Sequence, residues 1–447
     1  MGRQESKSCV DRKLGLILEV KSSYEDKSRD ELIEEIVDLI LEKEKLEKKL
    51  RKYENPNTPP SKDERKSRTN FVSKTGLPVG KKTGYKGRTR EEKKPTHFIN
   101  FFQGICDKCS KHNKPKEVME KTYEEIPEPQ PVKVVKASWG YYECDCGHCW
   151  ESKPEVVPEK GLFGKNAQTH IVLLKFDDRL PLRKTVSALE RQFNLTLTSK
   201  AVYDITKRVA DKVTPDYLEI RRKIRKAKHL NIDETKIKVQ GVWYYVWVFR
   251  SSKYIFFVIR KERNKNVLDE VLGYHYRGSI TCDGLSAYEE YTQYLQRCWA
   301  HILRETKEYA EKYDDAKPMY NWMKDLFKVV KSVSIKDPLK KRNKVYNKCI
   351  AEMKLLVSIY SSYRHLGEII TKVKNGLPYW FTRIIHPRIQ PTNNDAEQPL
   401  REVKVIQKII GTLRNEDGAS IMEKIMTFLA TWRLQEKNNF TELRSLV

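Results

Sequence analysis

The sequence predicts a multidomain α/β protein whose core is a mixed β-sheet. An apolar stretch that ends at Ile232 is followed, after a turn, by VWYYVWVF at 242–249, in which β-branched and aromatic residues alternate. The runs YIFFVIR at 254–260 and GSITC at 278–282 also have the composition of strands. A short helical pattern at 266–272 separates these two runs. The predicted order is therefore strand, strand, strand, helix, strand.

Acidic residues follow two of these predicted strands. Asp233 comes directly after Ile232, at the predicted end of the first strand, and Asp283 follows the fourth strand. A carboxylate at the end of a buried strand is costly unless it is paired or holds a metal ion. Acids after the first and fourth strands are the pattern of the ribonuclease-H-like fold. Because adjacent strand residues point to opposite faces, we expect Glu234 not to share a site with Asp233.

A third acid is expected on a later helix, in the segment TNNDAEQPLREVKV. Asn393 or Asn394 can cap this helix. Glu397, Arg401 and Lys404 follow at i, i+4 and i+7, and hence on one face. Read alone, this is an ordinary helix with a Glu–Arg pair. Read with the two earlier acids, it completes a set of three carboxylates that suits two Mg²⁺ ions about 3.5–4 Å apart at one phosphodiester.

The charge of the chain indicates a polyanionic partner. The 447 residues include 87 Lys and Arg against 61 Asp and Glu, a formal net charge of +26. Such a field favours nucleic acid, with an anionic membrane surface as the alternative. No apolar run approaches the roughly 20 residues of a spanning helix, and no secretory signal is visible. Nine cysteines, several in CxxC-like groups, suit a reducing compartment, so we expect a cytoplasmic protein.

The N-terminal part has a heptad pattern. Leu32, Leu39, Leu46 and Tyr53 recur every seven residues, which predicts a coiled-coil helix and a homodimer or higher homo-oligomer. The alternative is an amphipathic helix that packs on its own chain.

A basic arm follows the proline-rich break NPNTPPSK. The arm GKKTGYKGRTR at 80–90 has few apolar residues, so it is either a DNA-contacting arm or a solvated tether. Its predicted DNA-binding residues are Lys81, Lys82, Lys86, Arg88 and Arg90.

Clustered cysteines predict a structural zinc site. Cys106 and Cys109 form one pair, and Cys146 and Cys149 form a second about 35 residues later. Four thiolates at this spacing can close a tetrahedral Zn²⁺ site, with Cys144 as an alternative ligand. The other possibility is free cysteines in a reducing compartment.

A helical region is predicted after the cysteines, over about 165–227. Two helices in it are separated by a turn at 194–198, an arrangement that resembles a helix-turn-helix. Many such helix pairs never contact DNA, so recognition by the second helix stays open.

Taken in order, these motifs resemble a DDE transposase of the insertion sequence 66 family. The resemblance rests on the heptad helix before NPNTPPSK, the basic arm, the cysteine pairs, NIDET, CDGLSAY, CWAHILRE and NNDAEQPLREVKV. It implies that Asp233, Asp283 and Glu397 are the catalytic triad and that Lys404 contacts the DNA of the element's ends. It also implies that His301 and Arg304 of CWAHILRE line the site near the second acid.

The resemblance implies an enzyme that cleaves the ends of a mobile element and joins the freed 3′-hydroxyl to target DNA. It implies Mg²⁺ or Mn²⁺ at the catalytic site, structural Zn²⁺, double-stranded DNA as substrate, accessory transposition proteins and association with the nucleoid. The chain departs from the family at Gln398 and Pro399, which stand where Glu-Arg is usual. Two alternatives remain open: a non-catalytic DNA-binding regulator derived from a transposase, and a nuclease of the same fold that cuts without joining.

The predicted domain organisation has seven parts. They are an N-terminal region with the heptad helix (1–54), the basic arm (55–97), a zinc-binding domain (98–155), a helix-turn-helix-like DNA-binding region (156–227), the first part of the catalytic core (228–313), a helical insertion (314–390) and C-terminal helices that complete the core (391–447).

Overall fold

The chain divides into two compact units, Met1–Tyr123 and Glu124–Val447. The structure is a computed structural model. It describes residues 42–43, 94–102, 104–105, 108–112, 114–115, 117–124, 128–274, 276–289 and 291–447.

Little of the first unit belongs to the described residues. Glu42 and Lys43 are helical, and Ile105 forms an isolated antiparallel bridge with His112. The remainder of the predicted heptad helix and the whole basic arm at 80–90 lie outside the described residues.

The second unit begins with a small hairpin and four helices. The hairpin pairs β1 (Tyr141–Glu143) with β2 (Cys149–Glu151) in antiparallel fashion. The helices that follow are α1 (Lys165–Phe176), α2 (Leu182–Phe193), α3 (Ser199–Lys212) and α4 (Thr214–Arg225).

The predicted helix–turn–helix arrangement is confirmed. Asn194 ends α2 in the left-handed conformation, with φ 48°, which asparagine tolerates better than most residues. The Thr198 side chain then caps α3 by accepting a hydrogen bond from the Ala201 N–H. Leu189, Val202 and Ile205 are buried between the two helices and α1.

A five-stranded mixed sheet forms the centre of the second unit. Its strands are β3 (His229–Val239), β4 (Val242–Arg250), β5 (Ile255–Arg260), β6 (Ser279–Cys282) and β7 (Leu295–Arg297). The order across the sheet is β5-β4-β3-β6-β7. β3, β4 and β5 are antiparallel neighbours, whereas β6 lies parallel to β3 and β7 parallel to β6. Helix α5 (Lys265–Leu272) connects β5 to β6, so the predicted order of three strands, a helix and a strand is confirmed.

The predicted end of the first strand is wrong. β3 continues through Asp233 and reaches Val239, because its antiparallel pairing with β4 extends over its whole length from Asn231 onward. The parallel pairing of β3 with β6 stops much earlier, at Asn231 and Thr281. Asp233 therefore lies in mid-strand, where β3 has passed the end of its parallel neighbour.

A second hydrophobic core lies in the helical segment between β7 and the last helices. Its helices are α6 (Trp299–Lys312), α7 (Ala316–Ser332), α8 (Leu339–Tyr360), α9 (Gly367–Asn375) and α10 (Thr382–Ile385). Trp299, Met323, Leu356 and Phe381 are fully buried in this core. The expected helical character of residues 314–390 is confirmed.

Three C-terminal helices return to the sheet. They are α11 (Asn394–Ile410), α12 (Glu416–Leu434) and α13 (Asn439–Leu446). Leu400, Val403, Met422 and Phe428 join the same core as the sheet residues. In the part of the chain that the structure describes, no helix has the length and apolar character needed to cross a membrane.

Candidate active site

Three acids from β3 and from the loop after β6 lie together. Asp233 and Glu234 are on β3, and Asp283 follows the last residue of β6. One carboxylate oxygen from each of the three lies within 4.8 Å of the others. The loop that carries Asp283 turns sharply, because the Asp283 Oδ1 accepts a hydrogen bond from the Leu285 N–H at 3.0 Å. Asp233 and Asp283 are thus brought together as predicted.

Glu234 corrects the expectation that it points away from the site. Its carboxylate lies with those of Asp233 and Asp283, and its side chain is only 1% exposed. Since β6 ends before this point, the space beside β3 is open to side chains from both faces of the strand. The long Glu234 side chain receives hydrogen bonds there from the Tyr288 hydroxyl, at 2.9 Å, and from Arg263 Nε, at 2.8 Å.

Arg263 is the cation nearest to this group of acids. Its Nη2 lies 2.5 Å from Glu234 Oε1 and 3.5 Å from Asp283 Oδ2. The guanidinium of Arg263 thus pairs with two of the three carboxylates, and when all three are ionised the group carries an excess of negative charge.

Burial and this concentration of negative charge raise the pKa values of two of the acids. Burial and, after it, the neighbouring charges of Glu234, Asp283 and Glu397 together raise the pKa of Asp233 to about 8. Burial and then Asp283 raise the pKa of Glu234 to about 7, although Arg263 opposes the shift. The charge of Glu397 is the smallest of these contributions to the raised pKa of Asp233. These carboxylates are ionised at low cost only when a further cation is supplied.

Two buried asparagines fasten the start of α11 to β3. The Asn393 side chain donates a hydrogen bond of 2.7 Å to the carbonyl of Ile232, and Asn231 Nδ2 donates to Asn393 Oδ1 at 3.2 Å. Asn393 is fully buried and Asn231 is 3% exposed. Asn393 occupies the cap position of the helix, but its side chain makes no cap hydrogen bond. The sequence thus correctly placed a helix start here, but the asparagine serves to position α11 beside Asp233.

A proline inside α11 is accommodated by an arginine from the sheet. Pro399 lacks an N–H and leaves the carbonyl four residues earlier, that of Asp395, without its helical donor. Arg250, the last residue of β4, donates to this carbonyl at 2.7 Å and to Gln398 Oε1 at 3.3 Å. The two family departures at 398 and 399 therefore form part of a contact that holds α11 on the sheet.

Glu397 forms a second group with two residues at the start of α6. The ligand atoms of Cys298, His301 and Glu397 all lie within 4.8 Å of one another. His301 Nε2 is 3.7 Å from Glu397 Oε1. The expectation that His301 lines the site is refined in this way: it lies beside the third acid. Cys298 is connected to both halves of the site, because its N–H bonds the carbonyl of Cys282 and its Sγ accepts from the Asn393 N–H at 3.1 Å.

The other residues predicted to contact DNA lie on exposed parts of the same helices. Arg304 is exposed on α6, one turn after His301. Arg401 is 76% exposed and lies 4.0 Å from Glu397. Lys404 donates a hydrogen bond to the carbonyl of Lys236 at 3.2 Å, and burial lowers its pKa. The structure brings these cations to the rim of the site; their contact with DNA stays a prediction.

The predicted zinc ligands are only partly described. Cys144 and Cys149 flank the turn of the β1–β2 hairpin with Cys146 inside it, and all three are exposed, as is Cys109. Cys106 lies outside the described residues. Hydrogen bonds from the backbone and side chain of Cys146 lower the pKa of the Cys144 thiol, which favours Cys144 as a ligand. Zinc binding stays a prediction.

Four residues that shape this site have roles that the sequence did not reveal, although Asn393 was a predicted helix cap. They are Arg263 and Tyr288, which hold Glu234, and Asn231 and Asn393, which hold α11. A polar residue inside an apolar strand, as Asn231 is in HLNI, was the one available signal.

The model of the family described as Transposase IS66 family matches residues 160–421. This span includes Asp233, Asp283 and Glu397 and begins after the cysteine-containing segment. No curated protein matches the chain.

Proposed function

The chain belongs to the IS66 family of transposases, and we propose that it binds the ends of a mobile DNA element, cleaves a phosphodiester there and joins the freed 3′-hydroxyl to target DNA. The observation that carries this proposal is the clustering of Asp233 and Asp283, with Glu397 on a helix whose start is hydrogen-bonded to β3. Asp233 comes from β3, Asp283 from the end of β6 and Glu397 from α11, a helix that buried asparagines fasten to β3. The strand order of the sheet supports a ribonuclease-H-like core.

The residues present fit divalent cations. Carboxylate oxygens are the ligands that Mg²⁺ and Mn²⁺ prefer. The acids carry more negative charge than Arg263 neutralises, and Glu397 Oε1 is buried with no hydrogen-bond partner among the described residues. We propose that Asp233, Asp283 and Glu397 hold the ions. When bound, such ions activate the attacking oxygen and stabilise the leaving oxygen of the phosphodiester.

The protein's own residues position the carboxylates that we propose hold the ions. The Asn231–Asn393 pair and the Arg250 contact fix α11, so that Glu397 faces the sheet. Glu234, held by Arg263 and Tyr288, orders the loop that carries Asp283.

DNA binding is proposed for two sets of cations. His301, Arg304, Arg401 and Lys404 lie near Glu397 and would contact phosphates of the bound end. The arm residues Lys81, Lys82, Lys86, Arg88 and Arg90 would also contact DNA, because a run of basic side chains favours binding to phosphates.

Further parts of the proposal rest on the sequence. The cysteines would hold a structural Zn²⁺ ion, the heptad helix would join copies of the chain, and accessory proteins would complete the assembly on DNA. A reducing, nucleoid-associated location would follow from free thiols and a DNA substrate.

A strand-transfer assay tests the proposal. Labelled DNA carrying the element's end is incubated with the protein, target DNA and Mg²⁺. We expect Asp233→Asn and Asp283→Asn each to lower the rate at least about 1,000-fold, which corresponds to about 4 kcal/mol, because each variant removes a charge that holds the ions.

The matched control is Asp314→Asn, which removes an exposed carboxylate paired with Lys317. It should keep the wild-type rate. Wild-type activity in either site variant would overturn the assignment. Cut ends without joined product would identify a nuclease, and DNA binding without either product would identify a regulator.

A further inference from the structure

The group at the start of α6 has the ligand composition of a transition-metal site. Cys298 immediately precedes α6, and His301 follows three residues later, so both side chains lie on one side of the first helical turn. Glu397 approaches from α11. The three ligand atoms are a thiol sulfur, an imidazole nitrogen and a carboxylate oxygen, all within 4.8 Å of one another.

Two of these three side chains have a buried polar atom without a hydrogen-bond partner among the described residues. His301 Nδ1 and Glu397 Oε1 are buried, and neither has a hydrogen-bond partner among the described residues. Cys298 is 1% exposed, and its Sγ accepts the Asn393 N–H at 3.1 Å. Burial raises the pKa of the Cys298 thiol, and the N–H groups aimed at its sulfur oppose this shift, so a bound metal would have to displace the thiol proton.

The spacing is close to that of a bound ion. Zn²⁺ holds sulfur at about 2.3 Å and nitrogen or oxygen at about 2.0–2.2 Å, which puts tetrahedral ligands roughly 3.5 Å apart. His301 Nε2 and Glu397 Oε1 are 3.7 Å apart. All three ligand atoms lie within 4.8 Å of one another, so their separations must shorten by up to roughly 1.3 Å to reach this geometry.

We infer that Cys298, His301 and Glu397 form a Zn²⁺ site that is separate from the all-carboxylate group at Asp233, Glu234 and Asp283. Thiolate and imidazole ligands select Zn²⁺ over Mg²⁺ and Mn²⁺, which prefer oxygen ligands throughout. The fourth position of a three-ligand zinc site is filled by water or another exchangeable group.

Occupation of this site has a consequence that rests on the proposed function. Glu397 is the one residue common to the zinc group and the proposed Mg²⁺ ligands. A Zn²⁺ ion bound to Cys298 and His301 withdraws the Glu397 carboxylate from the magnesium set. Zn²⁺ therefore inhibits Mg²⁺-dependent DNA cleavage while Mg²⁺ is in excess.

Cobalt titration of the metal-stripped, full-length protein tests the site without any measurement of activity. Co²⁺ replaces Zn²⁺ and shows thiolate-to-metal charge-transfer absorption. We expect Cys298→Ser to lose part of this absorption and one bound equivalent, and His301→Asn to weaken binding of the same equivalent at least about tenfold. The five clustered cysteines remain in every variant, so the difference from wild type reports on Cys298 alone.

Cys349→Ser is the matched control, because Cys349 is a buried free thiol on α8 in the second core. It should leave the titration unchanged. If Cys298→Ser fails to fold, His301→Asn still decides the question, since His301 is one-third exposed. Wild-type stoichiometry and absorption in the folded site variants would overturn the inference.

The inhibitory role has its own measurement. Each variant is compared with its own zinc-free rate, and the Zn²⁺ concentration for half inhibition should rise at least about tenfold in Cys298→Ser. An unchanged concentration would refute the inhibitory role. Failure of the proposed function is distinguishable, because it would appear as absent strand transfer in the zinc-free wild type and would leave the cobalt titration intact.

Discussion

Two acids of the same unit, the buried Glu423 and the half-buried Asp233, have opposite surroundings. Glu423 on α12 is 7% exposed and accepts hydrogen bonds from the Ile259 N–H, at 2.8 Å, and from Arg260, at 3.0 Å. Asp233 accepts one from the Glu234 N–H at 2.9 Å and otherwise faces other acids. Burial raises the pKa of both, but Arg260 and the Ile259 N–H oppose the shift at Glu423, whereas further acids add to it at Asp233.

The surroundings of Glu423 explain its presence in the fold. β5 is the edge strand of the sheet, and its outward N–H groups need partners. Thr431, Thr427 and Glu423, spaced four residues apart on α12, accept hydrogen bonds from Ile255, Phe257 and Ile259. Helix α12 thereby closes the edge. A buried acid that satisfies donors stabilises a fold, whereas one that faces other acids forms a site for a cation.

The largest expected effect, that of replacing Glu423, distinguishes its structural role from the proposed metal-binding role of Asp233. Glu423→Ala leaves Arg260 and the Ile259 N–H without their partner, so we expect the free energy of unfolding to fall by about 3 kcal/mol. Strand transfer per folded molecule should stay near the wild-type rate. Urea denaturation and the strand-transfer assay measure the two quantities on the same sample.

Asp233→Asn should give the reverse result, a rate loss without a loss of stability, since it relieves repulsion between acids. An inactive but folded Glu423→Ala protein, or an unfolded Asp233→Asn protein, would refute the assignment of a structural role to Glu423 and a functional role to Asp233.

Local patterns were sufficient to predict most elements of the core. The alternation at 242–249, the apolar run at 254–260 and the turn at Asn194 each specify their own structure through neighbouring residues. The placement of Asp233 in mid-strand could not be predicted, because it depends on how far β4 pairs with β3 compared with β6.

Side-chain contacts between distant segments also could not be predicted from the sequence. The inward position of Glu234 depends on the gap that β6 leaves and on Arg263 and Tyr288, which lie 29 and 54 residues away. The Asn231–Asn393 contact joins residues 162 apart. Alternation along a strand gives the face of each side chain, but it does not reveal where a neighbouring strand ends.

The second prediction concerns the pH dependence of the metal-free protein. The pKa values of Asp233 and Glu234 are about 8 and about 7 in the folded protein, above the roughly 4 of unfolded carboxyls. Their contribution to stability is fully present below about pH 4 and is lost as the pH rises to about 8. We expect the free energy of unfolding to fall by on the order of a few kcal/mol across that window.

Denaturation of metal-free wild type and Asp233→Asn between pH 5 and pH 8.5 measures this effect. The difference between the two proteins removes the contribution of all other titrating groups. The variant should have the flatter profile, and added Mg²⁺ should stabilise the wild type more at pH 8 than at pH 6, because protons compete for the same oxygens. Parallel profiles would show that the acids do not share one charge-limited site.

The smallest of the three effects concerns Glu234, which combines features of both acids in the comparison. It satisfies donors on Arg263 and Tyr288, as Glu423 satisfies its own donors, yet its carboxylate lies among the proposed metal ligands. We expect Glu234→Gln to lower the strand-transfer rate by about 10–100-fold, the range typical of residues that orient metal ligands. Glutamine keeps the shape and the acceptor oxygen but does not neutralise Arg263.

The dependence of the rate on Mg²⁺ concentration shows whether Glu234 acts by orienting Asp283 or by binding the metal directly. If Glu234 orients Asp283 through Arg263, Glu234→Gln raises the Mg²⁺ concentration needed for half-maximal rate, and excess Mg²⁺ restores part of the activity. Tyr288→Phe removes only the hydroxyl donor to Glu234 and should shift the same quantity less. Alternatively, Glu234→Gln lowers the rate as much as Asp233→Asn does, and excess Mg²⁺ does not restore it. This result would identify Glu234 as a direct metal ligand, because added Mg²⁺ cannot replace a lost ligand charge.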